Sequence, residues 1–195
     1  MTVRMRQMKG NRVRVARTVL LTFAMALGAT LSPGSTPAES AAGEYEVKAA
    51  FLLNFARLVK WPADAFSDAR APLTVGLLSS APSSEQLRKF LEGKSVGSRK
   101  VNTRWIESAE EVGDFHMVFV SASSGARAGE VADATRGGPV LLVGESDGFA
   151  NHGGAINFFT DGNKIRFEIN PKAAEAAGLR VSSRLLRVAK IVSDG

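Results

Sequence analysis

Residues 139–169 read PVLLVGESDGFANHGGAINFFTDGNKIRFEI, and this stretch decides the fold. Pro139–Val143 is a short, almost continuously apolar run entered from Gly137-Gly138, the pattern of a central strand covered on both faces. Ala155–Phe159 and Lys164–Ile169 flank Thr160-Asp161-Gly162-Asn163, whose Asp-Gly pair predicts an antiparallel hairpin. In the second hairpin strand Ile165, Phe167 and Ile169 alternate with Arg166 and Glu168, so one face is predicted buried while the other carries an opposite-charge pair. A doubly covered strand followed by a hairpin calls for a mixed sheet.

Upstream, Glu44–Lys60 spaces Val47, Phe51, Phe55 and Leu58 along one helical stripe and stops at Trp61-Pro62. Leu73–Leu78, entered from Pro72, and Phe115–Val120 read as buried strands, with Lys100–Trp105 as a further strand. Ser83 with Gln86, and Ser108 with Glu111, offer capping boxes for a helix through Leu91 and for a short helix. A weaker helix is predicted over Ala126–Thr135. Downstream, Asn170-Pro171 supplies an N-cap and a first-turn proline for a helix ending near Gly178, and a last helix is predicted over Ser182–Val192. The alternation of strand and helix, closed by a hairpin and helices, predicts a single-domain α/β sandwich: a mixed sheet, parallel at its centre, flanked by helices.

The chain has 195 residues with a net charge of +6, and its excess of positive charge lies at the start. Arg4, Arg6, Lys9, Arg12, Arg14 and Arg17 precede the apolar run Thr18–Leu31 and the small-residue, Pro-broken stretch Ser32–Gly43. That order is an export signal, and the apolar run is shorter than the ~20 residues that span a bilayer. Cleavage is expected near Ala42, with Thr36-Pro37-Ala38 as the alternative motif, giving a leader over residues 1–42, a working domain over 43–195 and a location outside the cytoplasm without membrane insertion. Without the leader the chain is close to neutral, which removes the basic field that nucleic-acid binding needs. There is no cysteine and there are only two histidines, His116 and His152, so thiol chemistry and Cys- or His-rich metal sites are excluded. No Walker-type or dinucleotide glycine motif is present, and no cofactor is expected.

One pattern imitates catalysis. Gly144-Glu145-Ser146-Asp147-Gly148 matches the G-x-S-x-G of a nucleophile elbow behind a strand. An elbow requires a helix immediately after the serine, and Gly148, Asn151, Gly153 and Gly154 preclude one, so no catalytic residue is assigned. His116 in its apolar strand reads as a satisfied core residue. His152, beside two glycines, reads as a hydrogen-bonded turn residue that could also meet an anion. Arg166 and Glu168 share a strand face, and Arg180, Arg184 and Arg187 follow the i, i+4, i+7 spacing of one helical face. Together with His152 these are the candidate partner- or ligand-binding residues.

The same elements carry a resemblance. Lys48-Ala-Ala-Phe51-Leu-Leu-Asn54-Phe55 running to Trp61-Pro62, Gly153-Gly154-Ala-Ile156-Asn-Phe158, Arg166-Phe167-Glu168-Ile169-Asn170, and Gly178-Leu179 with Ser182-Ser183-Arg-Leu185-Leu186 resemble the YfiR-like family of exported bacterial proteins. The resemblance implies a periplasmic, non-enzymatic regulator, a homodimer, and as partner the periplasmic portion of an inner-membrane diguanylate cyclase or other sensor. Repression of a cyclase would control cyclic di-GMP and biofilm formation. A periplasmic small-ligand-binding module that reports to another sensor is the alternative. Relatives often carry cysteines, including one just before the strand that here begins Asp114-Phe115-His116, so their redox control does not carry over to this cysteine-free chain.

Overall fold

The computed structural model describes residues 37–78, 81–124 and 127–193. Residues 1–36 of the expected leader, and Ala126 of the weaker expected helix, lie outside them. In chain order the elements are helix α1 (Pro37–Leu58), strand β1 (Val59–Lys60), β2 (Leu73–Leu78), α2 (Pro82–Leu91), β3 (Ser95–Val96), β4 (Arg99–Ile106), β5 (Met117–Val120), α3 (Arg127–Ala134) and β6 (Leu141–Gly144). The hairpin β7 (Ile156–Asp161) and β8 (Lys164–Ile169) follows, then α4 (Pro171–Ala176), β9 (Arg180–Val181), α5 (Ser183–Leu186) and β10 (Lys190–Ile191).

The main sheet has eight strands in the order β10-β8-β7-β6-β5-β2-β4-β3. β4, β2, β5, β6 and β7 run parallel, while β8 is antiparallel to β7. Among the parallel strands the second in chain order lies outside the first and the rest follow on the other side, the doubly wound arrangement whose direction reverses between β2 and β5. The mixed α/β sheet expected from sequence is therefore present.

Alternation along each central strand explains the continuous apolar runs. Val75, Leu77, Met117, Phe119, Leu141 and Val143 face one core with Leu52 and Phe55 of α1 and Leu87 and Leu91 of α2. Leu78, Val118, Val120 and Leu142 face a second core closed by Val131 of α3 and by Ile106, Val112, Phe115 and Phe149. Phe149 lies so close over the backbone that a Cβ on Gly144 would stand 2.3 Å from its ring.

Several local expectations are corrected. α1 ends at Leu58, because Val59 and Lys60 leave the helix to pair with Val181 and Arg180 in a separate two-stranded ribbon. Neither capping box forms a side-chain cap: α2 begins with Pro82 behind Ala81, and Ser108 precedes a 3-10 turn over Ala109–Asp114. The hairpin turn sits one residue later than the Asp-Gly signal, since Asp161 pairs with Lys164 and leaves Gly162 (φ 60°) and Asn163 as the loop. Asn170 caps α4 as expected, its side chain accepting from the Ala173 amide. The last helix is the largest correction. Only Ser183–Leu186 is helical, with Ser182 as its cap, and the chain then forms β10 against β8. A helix through Val192 would leave the outer edge of β8 without backbone partners; instead the Val192 amide donates to the Ile169 carbonyl at 2.9 Å.

Candidate binding surfaces

In a doubly wound sheet the natural crevice lies outside the carboxyl ends of the strands. Here that edge is held by a buried ion pair. Glu145 follows β6 directly, and its carboxylate accepts from Lys48 Nζ at 2.6 Å, from the Tyr45 hydroxyl at 3.1 Å and from the Ala122 amide, after β5, at 3.1 Å. Lys48 also pairs with Glu44 one turn earlier in α1. The side chains of Lys48 and Glu145 are both 6% exposed. Burial works against the Lys48 ammonium, but its bonds to Glu145 and Glu44 outweigh it and raise its pKa above the ordinary lysine value. Burial and the Glu145 charge likewise push the Tyr45 phenol up. Nucleophilic lysines need the opposite shift, so this one is a charge-holding group that ties α1 to the edge of the sheet. A cleft of about 380 Å³ remains outside the pair, bordered by Glu44, Asp147, Phe158 and Phe159.

The residues singled out from sequence fall in three places. Arg166 pairs at 3.3 Å with Asp161, and both are exposed. Glu168, on the same strand face, is buried instead; it accepts from Lys190 at 3.1 Å and from Asn157 at 3.2 Å, so the Arg166–Glu168 charge pair does not form. His152 Nδ1 donates to the Gly148 carbonyl at 2.8 Å, making it a turn histidine on the rim of a cleft of about 570 Å³ between α3 and α4. After Ser146 comes a turn with Gly148 at φ 73° and a 3-10 segment Phe149–His152, which is not an elbow. His116 is satisfied: Nδ1 accepts from the Thr74 amide at 3.1 Å, Nε2 donates to the Ala65 carbonyl at 2.9 Å, and the ring stacks on Phe66. Among the described residues no group of His, Cys, Asp and Glu could hold a metal ion.

The three remaining arginines do not share a helical face. Arg180 lies in β9, Arg184 in α5, and Arg187 is the C-cap of α5. The fold brings them other cations: Lys60 stands directly opposite Arg180 in the ribbon, and Arg57 of α1 borders the same groove as Arg184. Among the described residues none of Arg57, Lys60, Arg180, Arg184 and Arg187 has a carboxylate within ion-pair distance, and all five are exposed. Sequence reasoning missed Tyr45, Lys48, Glu145, Arg57 and Lys60. The available signal was Lys48 itself, a charge set among the apolar positions of α1.

Comparison with known proteins places the chain. The YfiR/HmsC-like family matches residues 45–190. The fold is similar to the crystal structure of a conserved domain protein from Vibrio cholerae O1 biovar El Tor, with a TM-score of 0.50 and 11% sequence identity. That likeness covers 75% of this chain, which spans only 59% of the other, and it is a likeness of fold. An ABC domain from Streptococcus pneumoniae, crystallised with L-Trp, has a TM-score of 0.42 and 15% identity over 61% of this chain and 56% of that one. No curated protein matches. Among the described residues no helix is long and apolar enough to cross a membrane.

Proposed function

The chain belongs to the YfiR/HmsC-like family, and from that premise we propose that it is a periplasmic, non-enzymatic regulator that binds the periplasmic portion of an inner-membrane diguanylate cyclase and holds it inactive. The leader over residues 1–42 delivers it there and is removed. Beside family membership, the observation that carries the reading is the set of exposed cations without acidic partners around β1, β9 and α5, a surface suited to another protein. Regulation works as a population shift: the chain binds the inactive arrangement of the cyclase more tightly, and whatever weakens that binding releases the enzyme.

Deletion of the gene should raise cellular cyclic di-GMP and biofilm formation, and a second deletion of the cyclase should cancel the rise. Unchanged cyclic di-GMP, with no binding between the purified proteins, removes the reading. The alternative, a small-ligand module, draws on the cleft between α3 and α4, whose lining includes Arg136, His152 and Lys172 and no acidic residue.

A further inference from the structure

We propose that the groove between α1 and α5, together with the adjoining Lys60–Arg180 ribbon, seats an acidic segment of the partner that inserts one large apolar side chain. The identity of the partner rests on the regulator reading above; the surface does not.

Lys60 and Arg180 are direct cross-strand neighbours in an antiparallel ribbon of two residues per strand. Like charges in that position repel, and no carboxylate among the described residues lies within ion-pair distance of either. Burial of the underlying Val59 and the amide that Ser182 donates to the Leu58 carbonyl hold the ribbon in place despite the repulsion. An anion supplied from outside would relieve it.

Beside the ribbon, Arg57 and Arg184 border a groove of about 510 Å³ lined by Phe51, Leu58, Phe167 and Leu185. The floor is recessed, with Phe167 at 6% and Leu185 at 3% exposure. A flat anionic surface such as a lipid headgroup layer meets the arginines but does not reach that floor. A protruding aromatic or aliphatic side chain does, with carboxylates beside it meeting Arg57 and Arg184 at the groove border and further ones along the segment meeting Lys60 and Arg180 in the ribbon that continues from Leu58. An apolar anchor in a desolvated pocket ringed by charge is the arrangement that concentrates binding energy in protein interfaces.

The test uses the chain purified from the periplasm and fluorescein-labelled peptides rich in Asp and Glu with a single central Phe or Ala. The Phe peptide should bind at least tenfold more tightly than the Ala peptide, and both should weaken as salt rises. Lys60→Glu with Arg184→Glu should weaken both peptides tenfold or more. Asn54→Trp, which fills the groove from its exposed border without replacing a core residue, should abolish only the Phe advantage. Lys172→Glu, across the cleft between α3 and α4, should change neither, and thermal melts verify that every variant is folded. Equal affinity for the two peptides, or binding to phosphatidylglycerol vesicles but not to peptides, overturns the proposal. Peptide binding as described, with cyclic di-GMP unmoved by deletion, leaves the surface standing and removes the cyclase as its target.

Discussion

Replacing Lys48 by Met isolates what the ion pair at the sheet edge does. Both members are nearly inaccessible, so Lys48→Met leaves the Glu145 carboxylate buried without its counter-ion. Breaking a buried pair from one side costs about 3–5 kcal/mol. Two donors to Glu145 survive, the Tyr45 hydroxyl and the Ala122 amide, which places the cost near the lower end, about 3 kcal/mol. For a domain of this size each kcal/mol lowers Tm by about 2–4 °C, so the variant should melt about 6–12 °C below the wild type. Urea unfolding of the purified chain at neutral pH provides the second measure. The Lys48 pKa is raised in the fold, so its contribution is complete below the ordinary lysine value of about 10.4 and is lost only as pH rises through the higher folded value. The deficit of the variant should accordingly stay constant between neutral pH and about pH 9. Adding Glu145→Gln removes the stranded charge while keeping an acceptor for Ala122 and Tyr45, and should restore at least half of the loss. A single variant within about 1 kcal/mol of wild type would refute the reasoning, because it would mean that water reaches the pair and that the clasp contributes no more than a surface salt bridge.

Two further perturbations test the histidine and serine readings. Burial lowers the His116 pKa, so the neutral ring stabilises the fold above about pH 6.5 and this contribution declines as pH falls below that value towards the folded pKa. Wild-type stability by urea unfolding should therefore drop more between pH 7.5 and 5.5 than that of His116→Gln; parallel losses would place the titration elsewhere. Ser146→Ala should leave regulation intact and stability within about 0.5 kcal/mol, and a serine-reactive phosphonate should not label the wild type. Stoichiometric labelling that the substitution abolishes would restore Ser146 as a catalytic nucleophile.

How far each feature was legible in sequence depended on how local its cause is. Leu73–Leu78 forms a strand over those same residues because every position except Thr74 is buried, and an apolar run with a single interruption is the direct trace of a doubly covered strand. The Asn170-Pro171 cap is equally local, since its donor lies three residues away. The end of the chain departs from its sequence expectation because the Arg184–Leu185–Leu186 pattern is helical, whereas what stops the helix is the open edge of β8, a partner that the sequence does not place beside it. The same limit governs both surfaces. A lysine among the apolar positions of α1 announces that some acid must meet it, yet Glu145 is 97 residues away and carries no mark of its own beyond following a buried strand. The Gly144–Gly148 pattern drew attention to Ser146, while the neighbouring Glu145 is the residue that the fold uses. In the basic region the spacing of Arg180, Arg184 and Arg187 suggested a single helix, but the feature that joins the charges is tertiary: the ribbon sets Lys60 against Arg180, and the packing of α1 on α5 brings Arg57 to Arg184. A charge without a local partner is thus visible in sequence, and whether the fold answers it from within, as at Lys48, or leaves it without an ion-pair partner among the described residues, as at Lys60 and Arg180, is decided by which distant strand arrives beside it.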